Sequence, residues 1–497
     1  METEIKLLLA PGLRDALERH PALQPPRATP PELAELVTTY FDTPDFALSR
    51  AGVALRIRRL GDARVQTVKS KGQGGVASRR GEWEWPVPGD VPDLSLLAGT
   101  GAEGLIDPAL ARRLGPAYAT DVRRTTRLVC LEGSVVEVAL DEGEVRAGRQ
   151  RQPLLELELE LKAGDPAGLV QLALELIDAA PLRLGIESKA AQGYRLATAS
   201  PAPVVKAGDV ALEADTTARE GFRRILLSGL EHLLANIPAA QEEQVEGVHQ
   251  LRVALRRLRA TLVLFRPLLE PGMDHRFEAE LQRLGRVAGG ARDWDVFRTE
   301  TIDGMEDEGW RQTLDAVAAE RQAEAHATLR DELARPALTR LALALTAWAE
   351  SDAAMPPGPG AHPLRDLAPE LLEKLGARVE RRGRKIRKRS IEELHELRKA
   401  LKKLRYGLDD LSGLLPEEAV RPYLKRCRAL QERLGEMNDA AVAAEMAGRL
   451  AQPGRRDLVA AIDGVTRRAL ARQEKALDRL YDAWEEFQEV PAPWRPA

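Results

Sequence analysis

Leu155-Glu156-Leu157-Glu158-Leu159-Glu160-Leu161-Lys162 alternates apolar and charged residues without a break. Residues two apart on a strand share a face, so this stretch predicts a β-strand with one aliphatic side and one charged side. The same period recurs along the first two hundred residues. Glu2, Glu4 and Lys6 project together, opposite Ile5 and Leu7. Arg56 and Arg58 oppose Leu55 and Ile57, Lys69 shares a face with Lys71, and Glu82 and Glu84 oppose Trp83 and Trp85. Glu137 and Asp141 share a side with aliphatic residues on the other. In Asp121-Val-Arg-Arg-Thr-Thr-Arg127 the parity stays open between Arg123 and Arg124.

An antiparallel sheet with one wetted, charged face is the plain reading of such alternation. The grouping of signs argues for more. Three carboxylates in register on one strand repel one another unless cations sit opposite, and other strands supply cations in pairs. A sheet curled into a barrel would turn that face inward as a water-filled channel with acidic and basic walls. Carboxylates suit Mg²⁺ or Mn²⁺, and Arg and Lys suit phosphoryl oxygens, so metal-dependent polyphosphate or nucleotide chemistry follows as an expectation. No Gly-x4-Gly-Lys-Ser/Thr loop suggests a P-loop enzyme instead.

The whole chain has 497 residues, 44% hydrophobic and 30% charged, which excludes global disorder and predicts two or three domains. A net charge of −4 excludes a uniformly basic protein, and 4% aromatics weakens any case for base-stacking platforms. Cys130 and Cys427 lack metal-ligand spacing and read as two small buried hydrophobes in a reducing compartment. No signal-peptide order follows Met1 and no long apolar run occurs, so a cytoplasmic, non-membrane protein is expected.

Near residue 200 the pattern changes from period two to Leu/Ala/Arg/Glu-rich helical periodicity. The small, Pro-containing stretch between them reads as a linker, 198–214. A Pro/Gly-rich break at 353–363 splits the helical part into halves of about 215–350 and 364–490. The halves resemble each other. Val248-His249-Gln-Leu-Arg252-Val-Ala-Leu-Arg256-Arg257-Leu-Arg259 matches Leu394-His395-Glu-Leu-Arg398-Lys-Ala-Leu-Lys402-Lys403-Leu-Arg405, a period near 146. Leu281-Gln-Arg-Leu-Gly285 and Leu430-Gln-Glu-Arg-Leu-Gly435 align with one extra residue, and acidic turns are expected at Arg292-Asp-Trp-Asp295 and Asn438-Asp439. Two helical units about a pseudo-two-fold axis is the economical reading.

Glu2-Thr-Glu4-Ile-Lys6 resembles the Glu-x-Glu-x-Lys signature of the CYTH superfamily, the triphosphate tunnel metalloenzymes. The resemblance continues through Tyr40-Phe-Asp-Thr43, Leu55-Arg-Ile-Arg58, Thr67-Val-Lys69, Glu82-Trp-Glu84, Val138-Ala-Leu-Asp141, Glu156-Leu-Glu158-Leu-Glu160 and Ser188-Lys189. It covers residues 1–197 and implies an α+β domain: an eight-stranded antiparallel β-barrel tunnel with packed helices. It also implies that Glu2, Glu4, Glu156, Glu158 and Glu160 bind Mg²⁺ or Mn²⁺. Lys6, Arg56, Arg58, Lys69, Arg124 and Lys189 would hold triphosphate, with Glu2, Glu4 and Lys189 central to catalysis. Family members include inorganic triphosphatases, thiamine triphosphatases and class IV adenylate cyclases.

On a helix, residues at offsets of 0, 3, 7 and 10 fall within about a third of the circumference. His249, Arg252, Arg256 and Arg259 hold those positions in one half; His395, Arg398, Lys402 and Arg405 hold them in the other. Lys403 adds a further cation. Between Arg381 and Arg405 twelve Lys/Arg meet only three Glu. A solvated charge run is the ordinary reading, yet the same crowding appears twice, and a bound polyanion would relieve it. These features resemble the CHAD domain, an all-α fold of two quasi-symmetric bundles, over roughly 215–490. The resemblance implies inorganic polyphosphate as ligand, with nucleic acid the main competitor. The combined expectation is a triphosphatase tunnel joined to a polyphosphate-binding module. A noncatalytic polyphosphate-binding protein and a cyclase-like enzyme are the alternatives.

Overall fold

The computed structural model describes residues 2–70, 78–100 and 102–495. The chain divides into two compact units, Met1–Pro203 with Ala334–Ala347, and Val204–Leu333 with Trp348–Ala497.

The first unit is built on ten antiparallel strands: β1 (Glu2–Leu8), β2 (Glu32–Asp42), β3 (Val53–Leu60), β4 (Ala63–Ser70), β5 (Ser78–Arg80), β6 (Glu82–Pro86), β7 (Gly115–Leu131), β8 (Ser134–Ala147), β9 (Gln150–Gly164) and β10 (Arg183–Leu184). They pair in the order β10-β1-β9-β8-β7-β2-β3-β4-β6, with β5 on β1 off this path. This corrects the expected ring of eight strands, because among the described residues the nine-strand path does not close on itself. Gly81 separates β5 from β6, and a Cβ there would lie 2.5 Å from the Trp83 ring. The missing side chain lets one stretch of chain pair with β1 and then with β4.

Aliphatic residues of the outer face form the core. Ile5, Leu7, Leu157 and Leu159 are fully buried, and helix α1 (Pro166–Ala179) packs on their strands. Trp83 and Trp85 pack with Leu55 and Ile57, as their parity predicts. Helix α2 (Lys189–Thr198) starts at the Ser188 cap, whose Oγ accepts from Ala191 N–H. The first part of the helix Pro336–Glu350 also belongs here: Leu184 N–H donates to Thr339 Oγ1 at 3.0 Å. Cys427 is buried, but Cys130 is exposed, which corrects the reading of both thiols as buried. Cys130 lies beside the β7 terminus on the parity of the charged face, not of the core.

The second unit is helical: α3 (Ala218–Ala235), α4 (Val245–Phe265), α5 (Met273–Val296), α6 (Glu308–Leu333), α7 (Leu364–Gly383), α8 (Ile391–Leu411), α9 (Glu417–Gly448) and α10 (Arg456–Gln488). A π-helical turn, Phe297–Ile302, continues α5. Ser390 and Glu393 form a capping box that starts α8. Helices α4 and α8 begin 146 residues apart (245, 391) and end 146 apart (265, 411), so the repeat carries no insertion across them. Leu251, Leu255, Leu258 and Leu262 of α4 and Leu394, Leu397, Leu401 and Leu404 of α8 are buried at helical spacing, and the two helices contact each other.

Two expectations are corrected here. The acidic stretches are not turns: Asp293 and Asp295 lie inside α5, and Asn438 and Asp439 inside α9. The glycine equivalent to Gly435 is Gly289, not Gly285. A Cβ on Gly289 would come within 2.8 Å of the Arg252 guanidinium, and one on Gly435 would lie 3.9 Å from the Arg398 guanidinium. No described helix is long and apolar enough to cross a membrane.

Candidate functional site

Strand register assembles the charged face of the sheet. Directly paired residues share a face, and Lys6 pairs with Glu158, Asp141 with Glu156, and Arg124 with Asp141. Across the sheet Tyr40 pairs with Arg56, Arg56 with Thr67, Thr67 with Glu84, and Lys69 with Glu82. The open parity of β7 is thereby resolved. Arg124 faces the cluster, whereas Arg123 points to the other face and meets Glu142 at 3.1 Å.

At the centre Asp141 and Glu156 are fully buried. Lys189 bridges Asp141 (2.7 Å) and Glu158 (2.8 Å) and contacts Glu156. Lys6 lies 3.2 Å from Glu156 and 3.3 Å from Glu158. Arg124 forks onto Asp141 (2.7 and 2.6 Å) and reaches Glu158 at 2.6 Å. Burial opposes the charge on Glu158, but Lys189, Lys6 and Arg124 outweigh it and hold the carboxyl well below its usual range. Burial likewise opposes the charges on Lys189 and Lys6, and the surrounding carboxylates raise both pKa values.

This donor set fits a hard divalent cation. Asp141, Glu156 and Glu158 bring one oxygen each within 4.8 Å of the others. Glu156 Oε2 is buried without a hydrogen-bond partner. All-oxygen, partly unsatisfied coordination of this kind suits Mg²⁺ or Mn²⁺. Asp141 is the residue that sequence reading left out of the ligand set. Its parity with Glu137 placed it on the charged face; only the pairing with Glu156 brings it into this grouping. A second grouping, Asp274, His275 and Glu278, is already held by Arg266, 2.5 Å from Asp274 and 2.7 Å from Glu278.

The basic wall differs in its pairing. Arg56 meets Glu82 at 3.3 Å, and Lys69 meets the same carboxylate at 2.7 Å. Arg58 has no ion-pair or hydrogen-bond partner among the described residues, and its Nε is a buried orphan. Arg56 first, then burial and Arg124, push its pKa down to about 10. Tyr40, stacked on Tyr118 with centroids 4.8 Å apart, is buried beside Arg56.

Other expected ligands lie away from the centre. Glu4 is buried opposite Glu160, which pairs in turn with Glu137. Lys162 holds Glu160 at 2.9 Å and Glu137 at 3.5 Å. The side chain of Glu2 and all of Lys71 lie outside the described residues.

In the helical unit the two basic faces are related by the repeat. Arg252 lies 3.6 Å from Asp293 and Arg398 lies 3.6 Å from Asp439, contacts too long for hydrogen bonds. Burial, Arg398, Arg256 and Arg252 push Lys402 down to about 7, so cations from both halves converge. Lys402 has no ion-pair partner among the described residues. Burial and then Arg259 lower Lys403. Arg259 comes only within 4.0 Å of Glu278, and Nε of Arg259 and of Arg398 are buried orphans. Arg405 is better satisfied, by Gln431 (2.9 Å) and Asp409 (3.0 Å). His395 Nδ1 is hydrogen-bonded to Asn438 Oδ1 at 2.7 Å. Burial first, then Arg292, lowers His249.

Comparison with known proteins agrees with both halves. Residues 1–194 match the CYTH domain family, and residues 224–448 match the CHAD domain family. The chain is 32% identical over 204 residues to a protein of Haemophilus influenzae named inorganic triphosphatase. That match covers 39% of this chain and 54% of the relative, about half its length. The crystal structure of the CHAD domain from the plant Ricinus communis is similar at 29% identity and a TM-score of 0.51. It covers 57% of this chain and 96% of that one. The chain carries a CYTH domain followed by a CHAD domain.

Proposed function

We propose that the sheet face hydrolyses inorganic triphosphate to pyrophosphate and phosphate, and that the helical faces bind inorganic polyphosphate. The observation that carries the first reading is three convergent carboxylates, Asp141, Glu156 and Glu158, on the same face as Arg58, which has no ion-pair partner among the described residues. The Haemophilus relative, named an inorganic triphosphatase, supports the choice of reaction.

Mg²⁺ or Mn²⁺ bound to those carboxylates would neutralise phosphoryl charge and make a bound water more acidic. Glu4 and Glu160, paired across β1 and β9, extend the acidic surface. Arg58 is available to a phosphoryl oxygen without breaking a protein contact. Arg56 and Lys69 can trade Glu82 for substrate oxygens, and Lys189, Lys6 and Arg124 can trade their carboxylates in the same way. Oriented cations of this kind act by positioning and charge neutralisation, which phosphoryl transfer chiefly needs. No covalent nucleophile is required.

For the helical module, His249, Arg252, Arg256, Arg259, His395, Arg398, Lys402, Lys403 and Arg405 form the polyphosphate surface. Its crowded, half-satisfied cations support an anionic ligand. Tyr406 is the aromatic residue beside this surface. Its ring is covered by Arg405 at 4.5 Å and its hydroxyl accepts from Arg256 at 3.4 Å. An occupied ring offers no platform to a base, which favours polyphosphate over single-stranded nucleic acid.

Phosphate release from inorganic triphosphate, with Mg²⁺ or Mn²⁺ and with chelator, tests the reaction in wild type and Glu158→Gln. Metal-dependent release, lost in the variant, is expected. Release by Glu158→Gln at the wild-type rate would overturn the assignment, and cyclic AMP from ATP would favour the cyclase-like alternative.

A further inference from the structure

The duplication is unequal in one place. At the 146-residue offset, Trp294 and Phe297 of the first repeat correspond to Ala440 and Ala443 of the second. In the first repeat the two aromatic rings meet edge to face at 5.8 Å. They are buried in a core with Met446, Ala447 and Leu450. In the second repeat the aromatic bulk is gone, and Ala440 and Ala443 line a cavity of ≈ 390 Å³.

The other walls changed with it. Gln322, His326 and Leu329 of α6 correspond to Arg468, Arg472 and Lys475 of α10, all three lining the cavity. In the first repeat His326 is buried against Asp295 at 2.7 Å, and Gln322 Nε2 donates to the same carboxylate at 2.8 Å. Asp295 corresponds to Ala441, so this polar pair has no counterpart, and the place of its histidine is taken by a cation. Facing them, Met446, Ala447 and Leu450 correspond to Glu300, Thr301 and Gly304 of the π-helical turn and the residues just after it. The turn supplies a backbone carbonyl as well: Arg468 Nη2 donates to Gly304 O at 2.8 Å. An apolar plug in one repeat is thus replaced, position by position, by a polar-walled cleft in the other.

We propose that this cleft binds a nucleoside phosphate, a ligand separate from triphosphate in the sheet and polyphosphate on α4 and α8. The chemistry selects that class. Met305, Val465, Ala440, Ala443 and Ala469 line it with apolar side chains, a surface that a flat base covers and an inorganic anion cannot use. Arg468, Arg472 and Lys475 stand at i, i+4 and i+7 on one face of α10, spaced to receive a short phosphate chain. Glu300 would repel a bare phosphate but accepts hydrogen bonds from ribose hydroxyls. A volume of ≈ 390 Å³ lies at the small end of ligand pockets, matching one nucleotide rather than a polymer.

The test is calorimetric titration of ATP into the full chain, with chelator present and inorganic triphosphate saturating the sheet site. One equivalent of ATP is expected to bind over the triphosphate background. The exposed pair Arg472→Glu with Lys475→Glu should weaken that binding at least tenfold. Ala443→Phe, which restores the plug of the first repeat, should abolish it while phosphate release from triphosphate stays at the wild-type rate. Absence of ATP binding by wild type would overturn the proposal, as would unchanged binding by both variants.

Discussion

The sheet face and the paired helices α4 and α8 both gather cations, but they neutralise them differently. On the sheet, Lys6, Lys189 and Arg124 interleave with Asp141, Glu156 and Glu158 at ion-pair distance. On the helices, Arg252 and Arg398 have only a distant aspartate each, and Lys402 has no ion-pair partner among the described residues. Cations already neutralised admit a ligand only by exchange of partners, so this part of the sheet face selects shape and charge together. A face short of counter-charge gains from almost any polyanion, with strong salt dependence and little geometric demand. The first arrangement suits the proposed chemistry, the second the proposed capture of a polyanion.

The contrast can be broken most forcefully at Arg124. Arg124→Ala leaves the fully buried Asp141 without its fork, and removing one member of a buried pair costs about 3–5 kcal/mol. A large fall in denaturant midpoint should follow; an unchanged midpoint would show that the interleaved charges are not interdependent. Reversing Arg252, Arg256, Arg398 and Lys402 to Glu should instead leave the fold intact and weaken polyphosphate binding roughly 100-fold. Equal binding by the reversed protein would end the case for the basic faces.

Arg58 sharpens the comparison within the sheet because, like Lys402, it has no ion-pair partner among the described residues. Its charge is disfavoured beside Arg56, so Arg58→Ala should leave stability unchanged or raise it, while KM for triphosphate rises about tenfold. A KM equal to wild type would remove Arg58 from the substrate contacts. The smallest effect concerns pH. Lys402 has its pKa pushed down to about 7, and a bound polyanion raises it again, so binding takes up a proton. Affinity should therefore be greatest below about pH 7 and decline a few-fold as pH rises toward about 8.5, with Lys402→Arg flattening the profile. Isotherms with identical slopes for the two proteins would contradict the assignment.

Much of the site was legible as parity. Period-two alternation placed Glu156, Glu158, Lys6, Arg56 and Arg58 on one face because every strand turns successive side chains to opposite sides. The histidine and arginine faces of α4 and α8 followed from helical spacing in the same way. Asp141 escaped because membership of a cluster depends on which strands are neighbours. Arg124 stayed ambiguous until its pairing with Asp141 settled the parity of β7. Closure is not legible in the sequence because Gly81 lets the segment around β5 and β6 change partners, a property of one missing side chain.

Local periodicity, then, was enough to determine the charged composition of each face, the helical half and its duplication at 146 residues. Backbone geometry imposes those patterns on any chain segment that folds. Only the tertiary structure decided that Asp141 joins Glu156 and Glu158, that Gly289 is the counterpart of Gly435, and that Ala440 and Ala443 open a cleft where Trp294 and Phe297 fill one. Register and packing are long-range outcomes, set by the fit of residues distant in sequence, and no local period encodes them.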